Sequence, residues 1–258
     1  MSNRVPYVSR INNSSKNKHT STILALDMPY SSSQTINQII KLIEKIESYI
    51  CGVKMNFHIL LAHPPQNIKK LNNFIHSLEI QSIADIKLND IMNSNSIVLN
   101  ILRSLDFDCV IANPIMGKDA LRALVNLAHK LSMGVISVVY MSSPFAFQTY
   151  GLKVIPKLKI DNQEVKNLYD IFLDYSKFSK VDGIVVGATQ IPILRTISGI
   201  TEIPIYSPGI GSQGGDARKA ITNGSTYLIV GRSVLESIDP VGYLRIIKQI
   251  SNISHQNF

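Results

Sequence analysis

From residue 22 onward, short runs of consecutive apolar residues alternate with longer segments in which apolar residues recur every three or four positions. Consecutive Ile and Val residues are typical of strands buried on both faces of a parallel sheet. The longer segments have the period of amphipathic helices; residues 35–49, for example, align their isoleucines along one stripe. The predicted strands cover residues 23–27, 51–56, 81–87, 108–113, 134–141, 181–188, 202–207 and 226–231.

The number and order of these elements predict a closed barrel. Eight strand–helix units in about 235 residues are typical of a (β/α)8 TIM barrel with eight parallel strands, and a doubly wound open sheet is the alternative. We therefore predict one barrel domain over residues 21–258. The aperiodic residues 142–161 are expected to form either a loop that covers the substrate or a surface insertion. The predicted helices cover residues 35–49, 66–78, 92–105, 117–132, 162–179, 189–198, 214–223 and 239–252.

The net charge of +8 lies mostly at the two ends of the chain. Residues 1–20 hold four basic residues and no acid, and residues 241–258 hold two basic residues and no acid. We predict that residues 1–20 are a disordered or loosely attached basic tail. Because the remaining chain is nearly balanced and contains no Trp, we expect no nucleic-acid partner. No apolar run is long enough to cross a membrane, so no membrane partner is expected.

Cysteine and histidine usage argues against disulfides and metal ligation. Cys51 and Cys109 lie in apolar strands without the spacing of a disulfide framework or a metal site. We predict that both are buried thiols of a cytoplasmic protein. The histidines have no convincing ligand pattern, so no metal site is predicted.

Charged residues interrupt the predicted strands near their carboxyl ends. Asp27 ends the first strand and Lys54 lies inside the second, while Asp85, Lys87 and Asp90 mark the third. Alternate strand residues point to the same side, so Asp85 and Lys87 are expected to face the barrel mouth together. Because unpaired buried charges are costly, we predict an array of alternating charge. A structural ion-pair cluster is the other interpretation, but this position at the strand ends favours a catalytic site.

Two glycine-containing loops follow the seventh and eighth strands. The first runs from Pro208 to Asp216 with the sequence PGIGSQGGD, and the second is Gly231-Arg232-Ser233. Barrel enzymes frequently bind phosphate with the loops at these two places. Glycine lets backbone N–H groups approach an anion, and an arginine side chain binds phosphate with two parallel hydrogen bonds. The sequence therefore predicts a phosphate-binding site.

In this order and spacing, the motifs resemble those of the orotidine 5′-phosphate decarboxylase family over residues 22–250. The resemblance implies decarboxylation of orotidine 5′-phosphate to UMP, the last step of de novo pyrimidine synthesis, without a cofactor. It also implies a homodimeric barrel of the archaeal-like form that lacks a phosphoribosyltransferase domain. The segments that carry it are ILALD (23–27), GVKMN (52–56), DIKLND (85–90), MSSPFA (141–146), VVGAT (185–189), SPGIGSQGGD (207–216) and IVGRS (229–233).

The resemblance further implies a role for individual residues. Asp85 would destabilise the substrate carboxylate, Lys87 would protonate the carbanion, and Lys54 would order the charges. Asp90, with Ile91 and Ser94, would reach the site of the neighbouring subunit. The substrate-binding positions are Asp27 for the ribose, Ser142 for the pyrimidine ring, and Pro208, Gly209, Gly211, Gln213, Gly214, Gly215, Gly231 and Arg232 for the phosphate.

The chain also departs from the family pattern, and two alternatives stay open. Ser94 stands where Thr is usual, Asn113-Pro114 where His-Gly is common, and Phe145 where the ring-binding loop usually has Gly. One alternative is a magnesium-dependent hexulose-6-phosphate synthase or ketogulonate-phosphate decarboxylase, which shares the D-x-K-x-x-D motif but carries an acid in place of Lys54. The other is a non-catalytic relative that binds a nucleotide.

Overall fold

In the computed structural model, which describes residues 5–27, 35–155 and 165–255, eight parallel strands close into a barrel. The barrel strands are β1 (Thr22–Leu26), β2 (Gly52–Asn56), β3 (Gln81–Leu88), β4 (Cys109–Ala112), β5 (Gly134–Tyr140), β8 (Gly183–Val186), β9 (Ile205–Pro208) and β10 (Tyr227–Val230). Two short strands, β6 (Lys153–Val154) and β7 (Lys166–Asn167), lie between β5 and β8 in the chain and are not part of the barrel. β1 pairs in parallel with both β2 and β10, and this pairing closes the ring. The predicted (β/α)8 barrel is confirmed, and each predicted strand overlaps an observed one.

Helices connect the strands and form the outer layer of the barrel. The last helix starts at the Asp239-Pro240 pair, where Asp239 Oδ1 accepts the N–H of Gly242 at 2.9 Å. No helix in the described ranges is both long and apolar enough to cross a membrane. The helices are α1 (Tyr7–Lys18), α2 (Ile36–Ile46), α3 (Phe57–Ala62), α4 (Pro65–Ser77), α5 (Met92–Ser104), α6 (Lys118–Lys130), α7 (Leu168–Ser179), α8 (Ile191–Ser198), α9 (Ala217–Thr222), α10 (Arg232–Leu235) and α11 (Pro240–His255).

Three tyrosines fill the end of the barrel at which the strands begin. The rings of Tyr206 and Tyr227 stack with centroids 4.7 Å apart, and the Tyr206 hydroxyl donates to the Tyr7 hydroxyl at 3.4 Å. Gly134 and Gly183 make room for this cluster, because a Cβ atom on either would collide with a tyrosine ring. The barrel end opposite the predicted site is therefore a packed core.

Helix α1 contradicts the expected loose tail over residues 7–18. Tyr7, Ile11 and Ser14 are buried, and their spacing places them on one face of the helix. Arg10 reaches from the same helix to Asp108, whose side chain is fully buried. The polar composition of this segment suggested a solvated tail. The end of a barrel is a small surface, however, so few apolar residues are needed to cover it. Residues 7–18 therefore cover the end of the barrel at which the strands begin.

The segment after β5 has more regular structure than the predicted loop. Residues Ala146–Gln148 form a 3-10 turn, and β6 (Lys153–Val154) pairs antiparallel with β7 (Lys166–Asn167). Residues 156–161 of the predicted loop, and the first residues of the predicted helix 162–179, lie outside the described residues. The ring of Tyr140, the last residue of β5, packs against the rings of Tyr150 and Tyr169, with both centroid distances 5.6 Å.

Candidate active site

A cavity opens where the barrel strands end, at the place that the charged residues of the sequence predict. Asp27 follows β1, Lys54 lies in β2, and Asp85 and Lys87 lie in β3, so three adjacent strands supply the charges. Because neighbouring parallel strands end at the same side of the barrel, these side chains meet in one place. The cavity is lined by Asp27, Lys54, Asn56, Asp85, Lys87, Ile111, Val138, Met141, Ser142, Val185, Pro208, Gly209, Ile210, Ser212, Gln213, Ile229, Gly231 and Arg232.

Lys54 is the centre of the charged cluster. Its Nζ atom lies 2.9 Å from Asp85 Oδ2 and 3.4 Å from Asp27 Oδ1, and only 5% of its side chain is exposed. A buried ammonium needs opposite charges and hydrogen-bond acceptors close by, and the two carboxylates supply both. Lys54 therefore fixes Asp27 and Asp85 on either side of a single positive charge.

Lys87 joins the cluster through a backbone irregularity. Its Nζ atom donates to Asp85 Oδ1 at 2.8 Å, as the alternation of strand residues predicts. The backbone at Lys87 is not that of a regular strand, however. The pairing of β3 with β4 shifts between Asp85 and Leu88, and Lys87 has a φ of 47°. A non-glycine residue in this left-handed region stores of order 1–3 kcal/mol of strain and is typical of functional sites. With 39% of its side chain exposed, Lys87 is the more accessible ammonium of the pair.

Asp85 is an ionised carboxylate in a largely buried place. Burial raises the pKa of Asp85, but the charges and hydrogen bonds of Lys54 and Lys87 outweigh burial and hold the pKa below its ordinary value. Both carboxylate oxygens are occupied, Oδ1 by Lys87 and Oδ2 by Lys54. The arrangement keeps one negative charge fixed between two positive charges at the bottom of an open cavity.

Asn56 is a polar residue of this cluster that sequence reasoning missed. Its Oδ1 atom accepts a hydrogen bond from Lys54 Nζ, and its Nδ2 atom donates to Asp27 Oδ1. Asn56 thus links the two charges that lie on neighbouring strands. The signal was present in the sequence, because Asn56 is two residues beyond Lys54 and must point to the same side of the strand.

The two glycine-containing loops form a further part of the cavity wall, and the second of them follows β10, the neighbour of β1. Pro208, Gly209, Gln213, Gly231 and Arg232 line it. The first loop folds back on itself, because the N–H of Gly211 donates to the carbonyl of Gly215 at 2.9 Å and the N–H of Gly215 donates to the carbonyl of Gly209 at 2.9 Å. A Cβ atom on Gly231 would lie 2.9 Å from Asp27 Oδ2, so a larger residue there would displace the Asp27 carboxylate. The predicted phosphate loops therefore lie beside the charged cluster.

Ser142 lies on the rim between the fifth strand and the first glycine-containing loop. Ser142 lines the cavity together with Met141. It is packed closely against Gly209, because a Cβ atom on Gly209 would lie 2.9 Å from the Cβ atom of Ser142. The Ser142 carbonyl also accepts a hydrogen bond from the Thr189 hydroxyl at 3.3 Å. Phe145 is 67% exposed and does not line the cavity.

The structure does not bring every predicted residue into the cavity. Asp90 is exposed, Ile91 is 70% exposed, and Ser94 lies in the first turn of α5. Asn95 fixes the start of this helix, accepting the N–H of Asp90 at 3.1 Å through its side chain. None of these residues lines the cavity, and neither do the loop glycines Gly211, Gly214 and Gly215.

The donor groups in the cavity suit an organic anion better than a metal ion. Among the described residues, no group of three or more His, Cys, Asp or Glu side chains has the arrangement of a metal site. Between Asp27 and Asp85, the place of a cation is taken by the Lys54 ammonium. Cys51 and Cys109 are free and buried, as predicted.

Comparison with known proteins agrees with this geometry. Orotidine 5′-phosphate decarboxylase of Thermoplasma volcanium is 33% identical over 218 residues, which are 84% of this chain and 87% of that protein. The crystal structure of the Methanocaldococcus jannaschii orotidine 5′-monophosphate decarboxylase with inhibitor BMP matches 90% of this chain and 99% of that one, with a TM-score of 0.75 and 27% identity. A structure from Toxoplasma gondii that matches 98% of both chains, with a TM-score of 0.81, is 17% identical and shows the fold alone.

The match to a family model is as extensive as these pairwise matches. The model of the orotidine 5′-phosphate decarboxylase / HUMPS family matches residues 20–247, from just before β1 into α11. That range includes every residue of the charged cluster and both glycine-containing loops. The chain belongs to the orotidine 5′-phosphate decarboxylase / HUMPS family.

Proposed function

We propose that this protein decarboxylates orotidine 5′-phosphate to UMP, without a metal ion or organic cofactor. The observation that carries the proposal is the Lys54–Asp85–Lys87 cluster at the bottom of a cavity that is also lined by Gln213 and Arg232. A carboxylate between two ammonium groups faces two loops suited to a phosphate. This is the arrangement that a small anionic nucleotide with a reactive ring carboxylate requires.

The substrate is expected to span the cavity with its phosphate at the glycine-containing loops. Gln213 and Arg232 would bind the phosphate, since a guanidinium and an amide match its oxygen atoms. Asp27 and Lys54 would hold the ribose hydroxyls, and Ser142 would hydrogen-bond the pyrimidine ring. Binding at the phosphate and ribose then forces the ring carboxylate towards Asp85 and Lys87.

The proposed reaction breaks the bond between the ring carbon and its carboxylate group. Carbon dioxide leaves, and the electron pair of that bond stays on the ring carbon. Lys87 donates a proton from Nζ to this carbanion, giving UMP, and solvent later returns a proton to Lys87. Asp85, which stays ionised, repels the substrate carboxylate in the ground state and holds Lys87 in place.

Coulomb energies show why the cluster needs more than one charge. Two unit charges ~4 Å apart interact by about 4 kcal/mol at an effective dielectric constant near 20, which is about a thousandfold in rate. A positioned proton donor adds about 10²–10⁴-fold. Decarboxylation through an unstabilised carbanion needs an enhancement near the upper end of the enzymatic range. The remaining part must come from phosphate binding that orders the site.

The experiment is a spectrophotometric assay of orotidine 5′-phosphate decarboxylation in the presence of a metal chelator. We expect full activity in chelator and a loss of more than about 10⁴-fold in Lys87→Ala, because both the proton and the charge are removed. Lys87→Ala should still bind UMP. Lys70→Ala, which removes an exposed lysine of α4, should be as active as wild type. Substantial decarboxylation by Lys87→Ala would refute its role, and loss of activity in chelator would favour the magnesium-dependent alternative.

We also propose that the site is completed in a homodimer. Large apolar side chains are exposed on the segments that follow β2, β3 and β4, namely Phe57, Leu61, Ile91, Ile97, Ile101 and Ile115. Asp90 is exposed on the segment after β3 and lies outside the cavity of its own chain. An exposed apolar surface of this extent supports a contact between subunits. Asp90 and Ser94 would then complete the site of the partner.

Mixing two inactive variants tests this shared site. Lys87→Ala and Asp90→Ala each lack a different part of the proposed site. In a mixed dimer one site carries both defects and the other carries neither, so subunit exchange should restore about a quarter of the wild-type activity. No recovery on exchange, or a monomer in sedimentation velocity, would contradict the proposal.

The cytoplasm is the proposed location of this activity. Both cysteines are free thiols, and reduced cysteines are typical of that compartment. Fractionation of cells that express the tagged protein tests the location, and enrichment in an organelle fraction would contradict it.

A further inference from the structure

Ser233, the last residue of the second glycine-containing loop, joins that loop to the first. Ser233 Oγ accepts a hydrogen bond from the backbone N–H of Ser212 at 2.7 Å. Ser212 belongs to the loop after β9, and Ser233 lies in α10 directly after β10. The bond is at the short end of the usual range for N–H donors. It is a direct link between the two loops.

The chain passes so close to Ser233 that only glycine fits beside it. Gly211 has a φ of 76°, which favours glycine, and a Cβ atom there would collide with Ser233 Oγ. The same Cβ atom would lie 2.7 Å from the hydroxyl oxygen of Tyr243 in α11. Gly211 and Ser212 therefore rest against α10 and α11.

The link lies between the two side chains proposed to bind phosphate. Gln213 follows Ser212 directly, and Arg232 precedes Ser233 directly. Both side chains are exposed on the cavity wall, and over the described ranges neither makes an ion pair or a side-chain hydrogen bond. The relative position of Gln213 and Arg232 thus depends on the backbone that carries them.

We propose that Ser233 is a positioning residue that holds Gln213 and Arg232 at the separation that a phosphate monoester requires. The proposal rests on the proposed function, because it concerns the phosphate of the same nucleotide. Ser233 acts through its bond to the Ser212 N–H and not by touching the substrate. Without that bond, the loop after β9 must be ordered again each time a ligand binds, and this ordering lowers the affinity.

Calorimetric titration with UMP and with uridine tests the proposal. We expect Ser233→Ala to bind UMP roughly five- to tenfold more weakly, as loss of one neutral hydrogen bond would give. Binding of uridine, which has no phosphate, should be unchanged. The matched control is Ser237→Ala, because Ser237 Oγ also accepts a backbone N–H, that of Asp239 at 3.1 Å, away from the loop. Unchanged UMP affinity in Ser233→Ala, or an equal loss for uridine, would overturn the proposal.

A double-mutant cycle separates positioning from a general loss of stability. If Ser233 acts by placing Gln213, the effect of Ser233→Ala on UMP affinity should largely disappear in the Gln213→Ala background. The full effect of Ser233→Ala in that background would show that Ser233 acts independently of Gln213 and would overturn the proposal.

Hydrogen exchange tests the link without a ligand. The peptide that covers residues 209–215 should exchange faster in Ser233→Ala than in wild type or Ser237→Ala, since the Ser212 N–H loses its acceptor. Equal exchange in all three proteins would refute the link. A wild-type protein that binds UMP but does not decarboxylate orotidine 5′-phosphate would contradict the proposed function and leave the Ser233 result intact. A wild-type protein that binds no UMP would overturn both.

Discussion

Substitution of Arg10 by alanine tests whether α1 is an integral part of the barrel. Arg10 forms an ion pair with Asp108, and the exposed fractions of the two side chains are 11% and 0%. The same guanidinium donates to Gln81 Oε1 at 3.1 Å and to the carbonyl of Ser132 at 2.9 Å. Arg10→Ala removes these three contacts, together with the hydrogen bond from Arg10 Nε to the Val5 carbonyl at 3.1 Å, and leaves the opposite end of the barrel untouched.

The remaining partners of Asp108 set the size of the effect. Removal of one partner from a buried ion pair typically destabilises a protein by about 3–5 kcal/mol. Asp108 still receives hydrogen bonds from His76 at 2.7 Å and from the Ser82 N–H at 2.8 Å. We therefore expect the low end, about 3 kcal/mol. At about 2–4 °C per kcal/mol for a chain of this size, the melting temperature should fall by roughly 6–12 °C.

The same carboxylate makes stability depend on pH. Burial raises the pKa of Asp108, but the hydrogen bond and charge of His76, together with Arg10, hold it below the ordinary value. A carboxyl group whose pKa is lower in the folded state stabilises the fold above its unfolded pKa, and this stability is lost as the pH falls through the folded pKa. The wild-type protein should therefore lose stability below about pH 4, and Arg10→Ala should lose less.

Thermal melts followed by circular dichroism at pH 7, and over a series of lower pH values from about pH 4 to pH 3, measure both effects. Lys16→Ala is the matched control, because Lys16 is an exposed cation on the same helix. Its effect should stay within about 0.5 kcal/mol. A melting temperature of Arg10→Ala within about 1 °C of wild type would refute the structural role of α1. Such a result would restore the interpretation of residues 7–18 as a loose tail.

Three further predictions concern single side chains. Arg232→Ala should weaken UMP binding by about 1.5–3 kcal/mol and leave uridine binding unchanged in titration calorimetry, because a charged hydrogen bond to phosphate is lost. Asn56→Ala should lower kcat/KM about tenfold in steady-state assays, since Lys54 and Asp27 lose their link; an unchanged value would contradict that function of Asn56. A hydrogen bond to Asp182, opposed in part by burial, raises the pKa of His129, so its stabilising effect is present below pH 6.5 and is lost as the pH rises through the folded pKa. His129→Ala should melt lower at pH 6 and show less pH dependence between pH 6.5 and 8.

Much of the barrel and the charged cluster could be predicted from the sequence because strand periodicity fixes side-chain direction. The charges on the first three strands were expected at the barrel mouth, and Lys54 lies 2.9 Å from Asp85 there. Strand bounds also follow from local pattern, since consecutive apolar residues that end in a charged residue mark the carboxyl end of a buried strand.

Other features depend on contacts that the pattern does not record. The left-handed backbone at Lys87 arises where β3 shifts its register against β4, and a period of two residues cannot show such a shift. Helix α1 was missed because its composition is polar and most of its stabilising contacts are polar, with Arg10 bonded to Asp108 and Ser14 Oγ donating to the Glu79 carbonyl at 2.6 Å. Hydropathy measures apolar burial and is insensitive to such contacts.

The two ends of the barrel use buried charge in opposite ways. Asp108 and Asp182 directly precede β4 and β8, and each accepts one histidine and the N–H of a neighbouring strand. Such donors fix the carboxylate in place and hold the strands in register, so these acids stabilise the fold. Asp85, at the other end, is opposed by two ammonium groups, and that of Lys87 faces the cavity. The Lys87 ammonium can therefore interact with a ligand in the cavity. It lies at the carboxyl ends of the strands, where barrel enzymes have their active sites. In this chain, acids that directly precede a buried strand have a structural role, whereas the acid proposed to be catalytic lies towards the carboxyl end of its strand.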